Sequence, residues 1–159
     1  MVMNIQNKTP DLVLTSSDLS YQGHADCWFD MMGLLLNKTK IAIRDHEYHF
    51  NNSSRFKQYV DKFNLVNQYY SFNYDNFHFL GMSAEIPFDK NSKQLKFDRS
   101  YLKATSSNAS IQWITVFLYE LMYSSPTFHK TTENLRDTYH HLFDKYHVDL
   151  VLQAHSHNY

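Results

Sequence analysis

Two short apolar segments on either side of an amphipathic segment constrain the fold of this chain most strongly. Residues 11–15 (DLVLT) and 39–43 (TKIAI) are runs of mainly apolar residues, which are typical of strands buried on both faces of a parallel sheet. Residues 24–36 carry apolar side chains at three- and four-residue spacing, Met31 among them, which predicts a helix with one buried face. A strand, a helix and a strand in this order predict a βαβ unit with parallel strands.

The rest of the chain continues the alternation of helices and strands. Residues 54–65 predict a second helix, and the aromatic-rich stretch 68–86 changes to a period of two on both sides of Asp75-Asn76, which predicts a hairpin and therefore a second sheet. We expect its aromatic residues in the core of that sheet. The remaining pattern predicts, in order, a helix at 92–106, a strand at 111–118, a helix at 133–146 and a strand at 148–152.

The charge and hydropathy of the chain narrow the classes of partner. Its 15 Lys and Arg residues are balanced by 16 Asp and Glu residues, so there is no basic surface for phosphates along a nucleic acid, and we expect no nucleic-acid partner. The sequence has no apolar run of about 18 residues and no signal-peptide pattern, so we expect no membrane partner and leave the localisation open. The single cysteine, Cys27, is expected to be a small buried apolar residue of the first helix.

Polar clusters follow four of the predicted strands, at residues 18–21, 45–47, 119–120 and 155–157. Open α/β sheets bind ligands in the crevice at the carboxyl ends of their strands, and carboxylates and imidazoles are ligands of divalent metal ions. Taken one at a time, His155 and His157 are also compatible with a solvent-exposed turn, and Asp18 with a turn or helix-capping aspartate. The shared position of the four clusters favours a ligand or metal site.

These clusters resemble the motifs of the calcineurin-like metallophosphoesterases, in the version found in purple acid phosphatases. The family pattern GDxxY, GNH(D/E), VxxH and GHxH corresponds to residues 17–21 (SDLSY), 44–47 (RDHE), 116–119 (VFLY) and 154–157 (AHSH). Order, spacing and strand context agree over essentially the whole chain. The resemblance implies an α/β fold, an incomplete four-layer α/β/β/α sandwich formed by a single domain at 1–159, and hydrolysis of phosphate esters at a two-metal site.

The resemblance also assigns roles to individual residues. His46 would lie beside the substrate phosphate and donate a proton to the leaving oxygen. In the family the two metal ions are Fe together with Zn, Mn or a second Fe, and the ligands implied here are Asp18 bridging both ions, Tyr21 and His157 on the iron-type ion, and Asp45 and His155 on the other.

The chain departs from the family pattern at several positions. Tyr119 stands where the family has a metal-binding His, Asp45 stands for Asn, and Ser17, Arg44 and Ala154 replace glycines. The family's first motif, an Asp on an earlier strand, and its last strands have no counterpart, so we expect exposed sheet edges and self-association through them. Two hypotheses stay open: a phosphoesterase with impaired activity, or a non-catalytic pseudoenzyme or gene fragment that retains partial metal binding or binds a partner.

Overall fold

The structure is a computed structural model that describes residues 5, 7–16, 19, 25–43, 53–125 and 130–155. Within these ranges the chain forms six strands, four α-helices and one 3-10 helix. In chain order the elements are β1 (Val13–Thr15), α1 (Asp26–Met32), the 3-10 helix (Gly33–Lys38), β2 (Thr39–Ile41), α2 (Ser53–Phe63), β3 (Tyr70–Tyr74), β4 (Phe77–Gly81), α3 (Lys93–Ser106), β5 (Trp113–Phe117), α4 (Glu133–Lys145) and β6 (Leu150–Leu152).

The first sheet confirms the predicted βαβ unit. Strands β1 and β2 pair in parallel, with Val13 opposite Thr39 and Thr15 opposite Ile41. The helix between them is shorter than its apolar pattern predicts, because the α-helical backbone ends at Gly33, which has a φ of 50°. Glycine adopts this left-handed region without the steric cost of a Cβ atom, and the chain then continues as the 3-10 helix up to β2.

The second sheet has the strand order β3-β4-β5-β6. Strands β3 and β4 are antiparallel, whereas β4 pairs with β5 and β5 with β6 in parallel. The predicted hairpin is confirmed, and the turn residue Asp75 has a φ of 54°, in the left-handed region that Asp tolerates better than most residues. Helix α3 is also confirmed, and it begins where the hydroxyl of Ser92 accepts a hydrogen bond from the backbone N–H of Leu95.

Helices cover the outer face of each sheet. Trp28 of α1 and Tyr59 of α2 pack against Ile41 of the first sheet. On the second sheet, Leu102 of α3 and Tyr139 of α4 belong to a buried cluster formed with apolar side chains of β4 and β5.

The inner faces of the two sheets pack against each other. Leu14 of β1 lies in one apolar cluster with Phe72, Phe79 and Phe117 of the second sheet. The rings of Phe72 and Phe79 stack with their centroids 5.0 Å apart. Tyr70 and Phe77 belong to the same cluster, so most aromatic residues of the hairpin lie in the core between the sheets, as predicted, whereas Tyr74 is 43% exposed. The layer order is α/β/β/α.

One prediction for helix α1 is wrong. Cys27 is exposed to solvent rather than buried. The helix turns Trp28 and Met32, four residues apart, into the core, and Met31 is likewise 51% exposed. Apolar residues outnumber the positions on the buried face, because only about a third of a short helix can face the core. Among the described helices none is long and apolar enough to cross a membrane.

Candidate functional site

Strands β5 and β6 end side by side, so the segments that follow them leave the sheet together. The two strands are parallel, with Phe117 opposite Leu152. The pairing extends beyond both strands, because the N–H of Leu118 donates to the carbonyl of Leu152 over 3.0 Å and the N–H of Ala154 donates to the carbonyl of Tyr119 over 3.1 Å. Two of the four polar clusters predicted from the sequence are therefore neighbours at the carboxyl edge of this sheet.

At this edge the side chains of Tyr119 and His155 are in direct contact. The hydroxyl oxygen of Tyr119 lies 2.6 Å from Nδ1 of His155, and the ring centroids are 5.0 Å apart with an interplanar angle of 60°. Tyr119 is buried, with 3% of its surface exposed, and His155 is half-buried. Two residues 36 positions apart are thus joined by a short hydrogen bond where the sequence predicts a ligand site.

The backbone of His155 has a φ of 65°, a region in which a residue with a Cβ atom is uncommon. The left-handed conformation falls on His155 and not on Ala154, which stands where the motif it resembles has glycine. Strain of this kind costs of order 1 kcal/mol and persists only where surrounding contacts fix the backbone. Here the hydrogen bond from Ala154 to Tyr119 fixes the preceding residue.

Gln153 is a residue of this edge that the sequence analysis does not single out. Its Oε1 accepts hydrogen bonds from the N–H groups of Met122 (3.1 Å) and Tyr123 (3.3 Å), and its Nε2 donates to the carbonyl of Tyr123. One side-chain amide therefore ties the segment after β5 to the segment after β6. The available signal is an amide residue directly after the apolar run 150–152, where the sheet ends and backbone groups need new partners.

Most of the predicted site residues cannot be placed. Asp18, Tyr21, Asp45, His46 and His157 lie outside the described residues, and His155 is the predicted metal ligand whose position is described. No group of three or more His, Cys, Asp or Glu side chains that could hold a metal ion occurs within the described part of the chain. The assignment of the metal ligands thus stays a prediction.

The fold has a counterpart among solved structures. Two sheets packed face to face, with helices on both outer surfaces, form a four-layer α/β fold. The solved structure of purple acid phosphatase PPD1 from seeds of yellow lupin (Lupinus luteus) shares this fold, with a TM-score of 0.74 and 18% sequence identity over 99% of this chain and 32% of that chain.

A sequence comparison gives the same relationship. The chain is 26% identical to purple acid phosphatase 15 of Arabidopsis thaliana, over 88% of this chain and 28% of that protein. No protein-family model matches the sequence. The chain spans about a third or less of the length of both relatives. The resemblance to the purple acid phosphatases that the motifs indicate is confirmed by these two comparisons.

Proposed function

We propose that this chain is a metal-dependent phosphoesterase that hydrolyses phosphate esters at the carboxyl edge of its sheets, with reduced activity. The observation that carries the proposal is the contact between Tyr119 and His155, because it brings two of the phosphoesterase-like motifs together at the edge where α/β sheets bind ligands. The name of the Arabidopsis relative, a purple acid phosphatase, supports the class of reaction.

The proposed metal ligands are Asp18, Tyr21, Asp45, His155 and His157. As a donor set, two carboxylates, two imidazoles and a phenol suit divalent or trivalent ions such as Fe, Zn and Mn. His155 fits this role in its placement, since it is a half-buried imidazole that follows the end of a sheet strand. When bound, metal ions of this kind lower the pKa of a coordinated water and offset the charge on phosphoryl oxygens.

The proposed site residues would each have a separate role in binding metal ions, donating a proton or holding the site together. His155, together with the carboxylates of Asp18 and Asp45, would hold one ion, while Tyr21 and His157 would complete the other. His46 would donate a proton to the oxygen that leaves the phosphorus. Gln153 would keep the segments after β5 and β6 together, since it hydrogen-bonds to Met122 and Tyr123.

Reduced activity follows from the residue at position 119. The related motif has a metal-binding His there, whereas Tyr119 offers a phenol whose hydroxyl is already hydrogen-bonded to His155. A neutral phenol is a weaker ligand of divalent ions than an imidazole. One of the two ions therefore loses a nitrogen ligand, and we expect weaker metal binding and slower turnover than in a protein with His at this position.

The same substitution supports a second candidate function, a non-catalytic protein that retains one metal ion or binds a partner. If one metal position keeps all its ligands and the other lacks the nitrogen ligand at position 119, the site would bind a single ion. Hydrolysis that needs two metal ions would then be lost. The two candidates differ in a measurable way, because only the first predicts turnover that depends on Asp18.

The test measures metal content and hydrolysis of p-nitrophenyl phosphate by the purified chain after addition of Fe, Zn or Mn. The variants are Asp18→Ala and His155→Ala, with His141→Ala as the matched control because His141 is exposed on α4. Metal-dependent turnover that both site variants lose and the control retains supports the phosphoesterase. Bound metal without turnover supports the non-catalytic candidate, and turnover that survives Asp18→Ala overturns the proposed site.

A further inference from the structure

We propose that the outer edge of β3 binds an extended, acidic segment of a partner protein, which adds to the second sheet as a further strand. This edge includes none of the residues of the proposed phosphoesterase site, and its binding requires neither a metal ion nor turnover. The two proposals can therefore succeed or fail separately.

The register of the second sheet shows which backbone groups of β3 face outward. The N–H of Met82, directly after β4, donates to the carbonyl of Phe117 in β5 over 3.1 Å. Because backbone groups point to alternate sides along a strand, the even-numbered residues of β4 face β5 and the odd-numbered ones face β3. The odd-numbered residues of β4 lie opposite the even-numbered residues of β3. The remaining residues of β3, Ser71 and Asn73, therefore direct their N–H and C=O groups to the outer edge.

This outer edge can pair with another strand. Among the described residues, the backbone groups of Ser71 and Asn73 have no hydrogen-bond partner. A row of unpaired N–H and C=O groups is a template for an extended peptide, whose own backbone has donors and acceptors in the matching alternation. Strand β3 has five residues, whereas β6 at the opposite edge of the sheet has three, so β3 offers the longer run of pairing positions.

Two cavities beside β3 can receive the side chains of such a strand. One has a volume of about 360 Å³ and is lined by Phe97 of α3, and the other has a volume of about 350 Å³ and is lined by Asn73 and Thr105. Ser71 and Tyr101 line both cavities, and Tyr101 is 43% exposed. Since alternate side chains of a strand point to the same face, an added strand would direct every second side chain towards α3 and these cavities.

The charge of the neighbouring surface favours an acidic partner. Helix α3 carries four exposed cations, whereas its one acidic residue, Asp98, is buried. The cations are Lys93, Lys96, Arg99 and Lys103, and none of them forms an ion pair within the described part of the chain. Lys96 and Lys103 directly adjoin cavity-lining residues of the helix, and Lys40 of β2 lines the larger cavity. Carboxylates on the added strand would complement this charge.

The experiment uses the full chain and two synthetic heptapeptides, one of alternating Val and Glu and one of alternating Val and Lys. Val favours the extended conformation in both, so the peptides differ in charge alone. Calorimetry measures their affinities, and hydrogen exchange followed by ¹H–¹⁵N NMR locates the bound peptide. We expect the Glu peptide to bind at least about tenfold more tightly than the Lys peptide, and to slow exchange at the Ser71 and Asn73 amides by about tenfold or more.

Substitutions separate the contribution of charge from that of the backbone. Lys96→Gln and Lys103→Gln should each weaken binding of the Glu peptide by up to about fivefold, whereas Lys145→Gln, an exposed change on α4, should leave it unchanged. Ser71→Pro removes one outward N–H and should weaken binding by about two- to tenfold. If Ser71→Pro does not fold, hydrogen exchange at Ser71 and Asn73 in the unsubstituted chain tests the same contact.

Several results would overturn the proposal. The Glu peptide may not be bound more tightly than the Lys peptide, or it may bind without slowing exchange at Ser71 and Asn73; either result excludes an acidic strand at this edge. Protection of the two amides that increases with the concentration of the chain alone would show that a second copy occupies the edge instead. Hydrolysis of p-nitrophenyl phosphate is not part of this test, so a chain without phosphoesterase activity can still bind the peptide.

Discussion

The hydroxyl of Tyr139 on α4 donates a hydrogen bond to Oδ2 of Asp98 on α3 over 2.7 Å. Asp98 has 0% of its surface exposed, and its other oxygen, Oδ1, has no hydrogen-bond partner among the described residues. Burial raises the pKa of Asp98 from 3.8 to about 7, and the hydrogen bond from Tyr139 offsets part of that increase. A carboxyl group is thus kept protonated in the core between the second sheet and its helices over most of the acidic range.

Asp98 makes stability decrease as pH rises. Between about pH 4 and pH 7 the folded chain binds a proton on Asp98 that the unfolded chain has already lost, so the free energy of unfolding falls across this interval and stays lowered above it. Asp98→Asn removes the charge and keeps an oxygen that accepts from Tyr139. We expect this variant to be more stable than the unsubstituted chain at pH 8 and to show little gain at pH 4.5, as measured by urea unfolding. The exposed Asp137→Asn variant is the control, and an equal gain at both pH values would contradict the assignment.

His78 contributes a loss of stability in acid. It is buried in β4, its Nδ1 lies 2.7 Å from Oδ1 of Asn73, and its Nε2 has no partner among the described residues. Burial lowers the pKa of His78 below 6.5, so below that pH the unfolded chain takes up a proton that the folded chain does not, and the free energy of unfolding falls as pH decreases.

The test of His78 uses urea unfolding from pH 7 to pH 5 in the Asp98→Asn background, because Asp98 changes stability in the opposite direction over this interval. His78→Gln should show a shallower loss of stability towards acid than the parent. His141→Gln, an exposed histidine on α4, should leave the slope unchanged. If the free energy of unfolding falls equally steeply with decreasing pH in His78→Gln and in its parent, a group other than His78 causes the loss of stability in acid.

Tyr70 joins the two sheets through hydrogen bonds to the backbone of β2. Its hydroxyl donates to the carbonyl of Ile41 over 2.8 Å and accepts from the N–H of Ile41 over 3.0 Å. Tyr70→Phe would leave both backbone groups without this partner, and we expect a loss of about 1–3 kcal/mol in the free energy of unfolding. Hydrogen exchange at the Ile41 amide should become faster, whereas Tyr74→Phe, an exposed change in the same strand, should affect neither measurement. Unchanged exchange at Ile41 would refute the role of Tyr70.

Gly81 allows β4 to approach the buried ring of Phe117. A Cβ atom at position 81 would lie 2.8 Å from Cζ of Phe117 and 3.3 Å from Cε1 of Tyr70. Since both rings pack between the sheets, we expect Gly81→Ala to destabilise the chain by about 1–3 kcal/mol through overpacking. The double variant Gly81→Ala with Phe117→Leu should lose less stability than the sum of the two single variants, as measured by urea unfolding. Strict additivity would show that the two positions do not clash.

The sequence by itself determined most of the elements, because these depend on local pattern, while the order of the layers was implied by the resemblance of the motifs to a known family. Apolar runs at 11–15 and 39–43 predict the parallel pair, and alternation around Asp75-Asn76 predicts the hairpin; both are confirmed. The spacing of apolar residues along an element indicates which of its faces is buried, and a turn residue such as Asp75 indicates a local backbone conformation. The motifs also sufficed to indicate the relationship to purple acid phosphatases.

Only the tertiary structure decided which side chains meet. The pattern could not give the exposure of Cys27, because a short helix has fewer buried positions than this sequence has apolar residues. Nor could it show that Tyr119 contacts His155 at Nδ1 or that Gln153 joins their two segments, since both depend on the register of β5 against β6. Register is a long-range property: it is fixed by the packing of whole strands, and no single segment of the sequence encodes it.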